Sequence, residues 1–138
     1  PTMELSEIED LELPTAENAV LFLWATAPKL PEAIDVLKAW GFRYVTCAVW
    51  DKEIIGMGYW FRGQHEMLLV GVKGKYSPPE TTKRISSVIR EKRQAHSRKP
   101  DKFYKIIEDM FPAGKYLEVF ARRRFNEKWE VWGNEEIE

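Results

Sequence analysis

Two apolar runs of strand length, neither of which alternates with polar residues, constrain the fold of this chain most strongly. The runs are Ala19–Ala25 and Met67–Val72. A strand without alternation is typical of a sheet that is covered on both faces, as parallel sheets are. Between the two runs, apolar residues recur at steps of three and four from Pro31 to Trp40, and Gly41 follows. This spacing predicts an amphipathic helix that ends at the glycine.

The remaining patterns complete an order of β-α-β-β-loop-α-β-β, with a short acidic helix or turn ahead of it at residues 4–11. Two strands follow one another without a helix between them, which predicts a hairpin at the edge of an otherwise parallel sheet. The sequence therefore predicts one α/β domain over residues 1–138, with a mostly parallel, doubly wound sheet and an antiparallel edge hairpin. The segments after the first helix are a strand at 42–50, a strand at 67–72, a loop at 73–98, a helix at 99–111 and strands at 116–121 and 129–132.

The composition excludes several classes of protein and site. No stretch approaches the roughly 18 consecutive apolar residues of a membrane span. The single cysteine, Cys47, cannot form an intrachain disulfide, and the chain has only two histidines. We therefore expect no metal centre.

Positive charge is concentrated in one segment of a chain whose net charge is only -1. Residues 83–105 contain nine lysines and arginines against two acids, a local balance of +7. Such a block is typical of a face that binds a polyanion. A solvated loop with no partner explains it about equally well from the residues alone.

Six short motifs resemble, in their order and spacing, those of the MT-A70 family of adenine-N6 methyltransferases. The resemblance covers residues 1–135 and implies a Rossmann-like methyltransferase fold with S-adenosylmethionine as the cofactor. It also implies a nucleic-acid substrate, with DNA favoured over RNA, and a cytoplasmic enzyme of the bacterial or phage type. The motifs are LFLWAT at 21–26, WGF at 40–42, GQHEMLLVGVKG at 63–74, SRKPD at 97–101, LEVFARR at 117–123 and WGNE at 132–135.

The family's defining Asp-Pro-Pro-Trp motif does not occur in residues 1–138, and by the resemblance it would lie immediately before Pro1. The one Pro-Pro pair, Pro78-Pro79, has neither the acid before it nor the aromatic residue after it. No catalytic residue is therefore assigned, and we expect this segment, as an N-terminally truncated domain, to be inactive alone. The alternative is a catalytically inactive subunit that binds nucleic acid and supports an active partner. A homodimer, or a heterodimer with a related subunit, agrees with either function.

The resemblance assigns four residues to the cofactor. Lys99 corresponds to a lysine that reaches the carboxylate of S-adenosylmethionine, and Arg122 to an arginine near the ribose. Asn134 and Glu135 correspond to a pair at the cofactor's adenosine end, where an amide offers both a donor and an acceptor. A solvated lysine and a simple turn are the alternatives for Lys99 and Asn134.

Aromatic and basic residues around a glycine-rich loop are the candidates for binding the nucleic acid. Aromatic side chains beside an arginine, on a loop with glycine hinges, suit stacking on an extruded base and contact with a phosphate. Packing at a strand edge is the alternative for Trp50, and a surface carboxylate is the alternative for Glu66, which otherwise orients the loop. The candidates are Trp50, Tyr59, Trp60, Arg62 and Glu66 around the loop, with Arg90, Lys92 and Arg93 on the backbone phosphates.

Overall fold

A four-stranded mixed sheet forms the larger of two compact units in the computed structural model, which describes residues 5–11, 15–93, 99–119 and 124–132. The larger unit contains the described residues up to Pro78 together with Ile85–Arg93. The smaller unit contains Pro79–Arg84 and the described residues from 99 onward. No helix among the residues placed in either unit is long and apolar enough to cross a membrane.

In the larger unit the strands follow the order β1-β3-β2-β4. Strand β3 is antiparallel to both of its neighbours, whereas β4 is parallel to β2. Three of the four strands therefore run in the same direction, and β1, α2 and β2 make a crossover around the reversed strand β3. The elements are α1 Leu5–Glu9, β1 Ala19–Ala25, α2 Leu30–Ala39, β2 Arg43–Asp51, β3 His65–Lys73 and β4 Val88–Arg90.

Helix α2 packs on one face of this sheet and forms the main core. Leu37 of the helix and Leu69 of β3 are completely buried and lie in one cluster with Ala25 and Phe42. Gly71 allows the helix to approach, because a Cβ atom there would lie 3.0 Å from Leu37 Cδ1. The close packing that this contact permits is typical of protein interiors.

The smaller unit combines one helix with a two-stranded parallel sheet. Helix α3 covers Asp101–Met110 and buries Phe103, while β5 at Tyr116–Val119 pairs with β6 at Trp129–Trp132. The Tyr116 and Trp129 rings stack with their centroids 4.9 Å apart. Aromatic packing therefore supplies much of this unit's core.

The α/β class, the order of the predicted elements and the antiparallel pairing of β2 with β3 are confirmed, in agreement with a Rossmann-like methyltransferase fold. The position predicted for the hairpin is wrong, because β3 lies between β1 and β2 rather than at an edge. Residues on both faces of β3 are apolar, so the strand suits an interior position. Strand β4 lies inside the predicted loop and exists through its pairing with β2.

Candidate nucleic-acid interface

Trp50, near the end of β2, connects the core of the larger unit to its basic residues. Its ring is 1% exposed and lies edge-on to Trp24, with centroids 5.6 Å apart. The indole nitrogen donates a hydrogen bond of 2.7 Å to the backbone oxygen of Glu91, just beyond β4. The structure thus shows the packing alternative for Trp50. The ring holds the chain at Glu91 and is not itself a surface on which a base could stack.

Asp51, the next residue, joins three segments of chain through its carboxylate. It accepts hydrogen bonds from Gln64 Nε2 at 3.0 Å and from the backbone nitrogen of Glu53 at 2.9 Å. Arg90 Nε lies 3.7 Å from the other carboxylate oxygen. The bond from Gln64 is the main cause that lowers the pKa of Asp51, and the Glu53 nitrogen and the Arg90 charge lower it further. The carboxylate is therefore ionised at neutral pH and holds Arg90 beside the end of β2.

The loop between β2 and β3 has a narrow, hydrogen-bonded neck; residues 53–64 are called the aromatic loop below. The Gly56 nitrogen donates to the Gly63 oxygen at 2.7 Å, and the Gly63 nitrogen donates to the Met57 oxygen at 3.2 Å. Arg62 Nε also donates to the Gly56 oxygen, at 3.2 Å. These bonds hold the two sides of the loop together above the sheet.

The tip of the aromatic loop presents four large side chains to solvent, and each of them is at least 90% exposed. Tyr59 and Trp60, the candidates for stacking, are both at the tip, with Arg62 next to it. Contiguous apolar side chains in this state are typical of an interaction site rather than of ordinary surface. The four are Met57, Tyr59, Trp60 and Phe61.

A buried ion pair supports the base of the aromatic loop. Glu66 Oε2 lies 2.6 Å from Lys52 Nζ, and Glu66 is only 7% exposed. The lysine also lies 5.3 Å from the centre of the Trp50 ring. The alternative of a surface carboxylate is therefore wrong for Glu66. Burying this pair requires close geometry, which orients the chain where the loop leaves β2.

Arg90 is the last residue of β4, and Lys92 and Arg93 follow the strand directly; all three are exposed, and residues 90–93 are called the basic segment below. Pairing of β4 with β2 sets Arg90 opposite Asp51, so the basic segment begins beside the base of the aromatic loop. Within 51–66 and 88–93, four exposed cations face one exposed carboxylate, that of Glu53. The interface therefore combines aromatic stacking surface with positive charge.

The larger positive block at residues 83–105 does not belong to one unit. Lys83 and Arg84 lie in the smaller unit, the basic segment lies in the larger one, and Arg98 falls outside the described residues. The basic segment is the part of the block that the structure joins to the aromatic loop.

Of the four cofactor candidates, only Lys99 lies within the described residues. It is half-buried and precedes Pro100, whose side chain is fully buried at the start of α3. Arg122, Asn134 and Glu135 lie in the ranges 120–123 and 133–138, outside the described residues. Their assignment stays a prediction.

Glu118 of β5 is a polar residue that the sequence reasoning missed. Its Oε2 accepts a hydrogen bond of 2.6 Å from the Tyr104 hydroxyl, and its Oε1 is buried without a hydrogen-bond partner among the residues that the structure describes. Burial raises the pKa of this carboxyl, against the opposing effect of the Tyr104 bond. A lone acid inside the apolar run LEVF was the signal that could have identified it.

The pKa of Glu108 in α3 is shifted in the opposite direction to that of Glu118. Burial alone would raise the pKa of its carboxyl, but hydrogen bonds from Trp129 at 2.8 Å and Asn126 at 2.9 Å outweigh burial and lower it. This carboxylate is satisfied within the unit, whereas Glu118 keeps an unused acceptor. Among the side chains that the structure describes, the other buried oxygen of that kind is Glu32 Oε2.

Comparison with known proteins gives relatives over nearly the whole chain. The Type II methyltransferase M.MunI of a Mycoplasma species is 38% identical over 138 residues, which is 98% of this chain and 59% of that protein. An N(6)-adenosine-methyltransferase MT-A70-like protein of Arabidopsis thaliana is 33% identical over 88% of this chain and 19% of its own length. The human N(6)-adenosine-methyltransferase catalytic subunit METTL3 is 29% identical over 97% of this chain and 25% of its own length.

The chain thus spans about three fifths of the bacterial relative and a quarter or less of these two eukaryotic ones. The profile of the MT-A70 family matches residues 1–135. That match covers all but the last three residues, and the chain belongs to the MT-A70 family.

Proposed function

We propose that the whole protein transfers a methyl group from S-adenosylmethionine to the N6 amine of adenine in nucleic acid, with DNA favoured over RNA. Membership of the MT-A70 family supports the reaction. The observation that carries the substrate class is the junction at Asp51, where the aromatic loop and the basic segment meet. The preference for DNA rests on the resemblance to bacterial and phage members of the family, and the bacterial relative is more similar to this chain than the two eukaryotic ones.

The interface residues divide the work of binding the substrate. Arg90, Lys92 and Arg93 neutralise backbone phosphates, which fixes the position of the nucleic acid without regard to its sequence. Trp60, with Tyr59 beside it, stacks on the extruded adenine. The N6 amine is a poor nucleophile, because its lone pair is conjugated with the ring. Precise orientation of the base therefore supplies a large part of the rate.

The described residues of the smaller unit fit the chemistry of S-adenosylmethionine, which supplies an electrophilic methyl group when bound. Lys99 offers a cation for the carboxylate of the cofactor's methionine part. The unpartnered Glu118 Oε1 offers an acceptor for its ammonium or hydroxyl groups. We propose that Arg122, Asn134 and Glu135 complete the site at the adenosine end, as the family resemblance implies.

The second candidate function is a catalytically inactive subunit that binds nucleic acid and supports an active partner. Two observations support it: the aromatic loop and the basic segment offer binding groups that need no catalytic residue, and one relative is named as a catalytic subunit, a name that implies further subunits in that enzyme. Homodimers and heterodimers with a related subunit are proposed on the same ground. The two functions differ in whether the whole protein itself methylates adenine.

Methylation by the whole protein tests the proposal directly. Purified protein is incubated with labelled S-adenosylmethionine and, separately, with duplex DNA, single-stranded DNA and RNA. We expect N6-methyladenine in DNA by mass spectrometry, and none from residues 1–138 alone, since that segment lacks the motif that binds the amine. Whole protein that binds DNA without methylating it would favour the second function, and product from the isolated segment would contradict the assigned chemistry.

Calorimetry tests the cofactor residues. In the whole protein, we expect Lys99→Ala and Asn134→Ala each to weaken binding of S-adenosylmethionine about tenfold or more, the scale of one lost hydrogen bond to a charged group. Glu118→Gln should also weaken binding while raising the free energy of unfolding at pH 7, because it removes a desolvated carboxylate. Weaker binding together with greater stability is the result expected for a residue that is kept for function although it destabilises the fold.

Lys105→Ala, which removes an exposed lysine from α3, is the matched control and should leave the affinity unchanged. Unchanged affinity in both Lys99→Ala and Asn134→Ala would contradict the cofactor assignment. A Glu118→Gln protein that is stabilised but binds normally would remove Glu118 alone from the site.

A further inference from the structure

Met57 and Phe61 at the tip of the aromatic loop have no role in the proposed function, although they are 94% and 90% exposed. Neither side chain carries a group that water hydrogen-bonds well, so full exposure of both is unfavourable. Apolar side chains kept in this state are typical of a surface that is covered in a complex. Their position next to Tyr59 and Trp60 restricts what can cover them.

The charges next to the tip and at the base of the aromatic loop favour a nucleic acid over a second copy of the chain. A twofold contact would bring the same patch against itself. Arg90 already lies beside the Asp51 carboxylate, but Arg62, Lys92 and Arg93 would then come near an identical set of exposed cations, and like charges oppose such a contact. Backbone phosphates are complementary to the same cations.

The shape of the loop points to a narrow target. The neck is one pair of chain segments wide, closed by the bonds between Gly56 and Gly63 and between Gly63 and Met57. Arg62 braces it with its Nε, which leaves the terminal nitrogens of the guanidinium as further donors. A braced projection with apolar residues at its end suits insertion between stacked bases better than contact with a flat protein surface.

Resting on the proposed nucleic-acid substrate, we infer that Met57 and Phe61 form a wedge that enters the stack of duplex DNA as the target adenine leaves it. Extrusion of a base leaves its neighbours without a stacking partner, and an apolar side chain in the gap replaces that contact. Phe61 supplies a flat ring, and Met57 a flexible side chain that adapts to the base pair beside it. Trp60 meets the extruded base, so the two halves of the tip have different targets.

Comparison of two substrates separates the wedge from the stacking residue. The whole protein is assayed on a duplex and on the single strand that carries the same target adenine. For Phe61→Ala, we expect the ratio of kcat/KM on the duplex to that on the single strand to fall about tenfold or more, the scale of one stacked contact. Phe61→Leu, which keeps an apolar side chain, should recover most of the ratio. Trp60→Ala should reduce kcat/KM on both substrates and change the ratio less than about threefold.

A second measurement does not depend on methyl transfer. Duplexes in which 2-aminopurine replaces single adenines become fluorescent when that base is unstacked. Binding of the unmodified protein should raise the fluorescence, and Phe61→Ala should remove most of the rise. If the protein unstacks DNA but methylates nothing, the proposed function fails and the wedge stands.

Two results would overturn the wedge. One is methylation by Phe61→Ala with an unchanged ratio and unchanged fluorescence. The other is a Phe61→Ala protein whose oligomeric state, measured by sedimentation, differs from that of the unmodified protein while its ratio of kcat/KM on the two substrates does not. That result would identify the tip as a protein contact.

Discussion

Replacement of Arg90, Lys92 and Arg93 by glutamine should weaken the binding of duplex DNA by about two to three orders of magnitude near 0.1 M salt. Each cation that meets a phosphate releases a counterion and contributes about 0.9 to the slope of log affinity against log salt. Three lost contacts should therefore flatten the slope by about 2.7, and all duplex sequences should be affected alike. Fluorescence anisotropy at several salt concentrations measures both quantities.

A control variant removes charge from the same unit but at the other end of the sheet. Lys38, near the end of α2, and Lys75, just after β3, are exposed and lie toward the end where β2 begins. We expect the double variant Lys38→Gln, Lys75→Gln to change the slope of log affinity against log salt by much less than about 0.9 for each lysine removed. If the basic-segment variant keeps the original affinity and slope, the segment is only solvated surface and its assignment to phosphates is wrong.

Gly58→Ala should lower kcat/KM on DNA about a hundredfold, the scale of a misplacement of about 1 Å in the substrate-binding groups. A Cβ atom at this position would overlap the backbone oxygen of Phe61, so the turn between the two residues must open. Tyr59 and Trp60 lie inside that turn and would move with it. The free energy of unfolding should change little, since the tip is exposed and contributes little to the core.

Gly63→Ala is the matched control within the same loop. A Cβ atom there would meet Met57 O at 3.7 Å, an ordinary contact, and should be tolerated. Rates on single-stranded and duplex DNA, with circular dichroism melting, distinguish a local change from unfolding. A Gly58→Ala enzyme within about threefold of the original rate would mean that the tip conformation is unimportant for turnover.

Patterns of apolar residues were enough to predict most of the helices and strands of the fold. The strands Ala19–Ala25 and Trp129–Trp132 have the predicted bounds, because continuous apolar runs mark buried strands well. Strand β4 could not be predicted in this way. Its three residues lie in a polar segment and become a strand only through pairing with β2. Such pairing depends on distant residues, and local propensity does not report it.

The residue types of the candidate interface could be predicted from the sequence, but the hydrogen bonds and ion pairs that join its parts could not. Glycines, aromatic residues and arginines indicated a binding loop, and the cluster of bases indicated a polyanion. The roles of Trp50 and Asp51 depend on the placement of Glu91 and Arg90, and so on the same unpredicted strand. Glu118 was missed because a single acid in an apolar strand carries no motif of its own.

The hydrogen-bonded neck of the aromatic loop separates the tip, whose sequence can vary, from the paired strands β2 and β3, whose register must stay constant. Below it, Lys52 and Gln64 are already joined by a backbone hydrogen bond of 2.9 Å, and the paired strands continue from there. Residues 58–62, beyond the neck, therefore form an exchangeable module, whose composition and length can drift while the sheet keeps its register. A new tip can accordingly be grafted onto the unchanged neck, which under the proposed function would alter the flanking bases that the protein prefers.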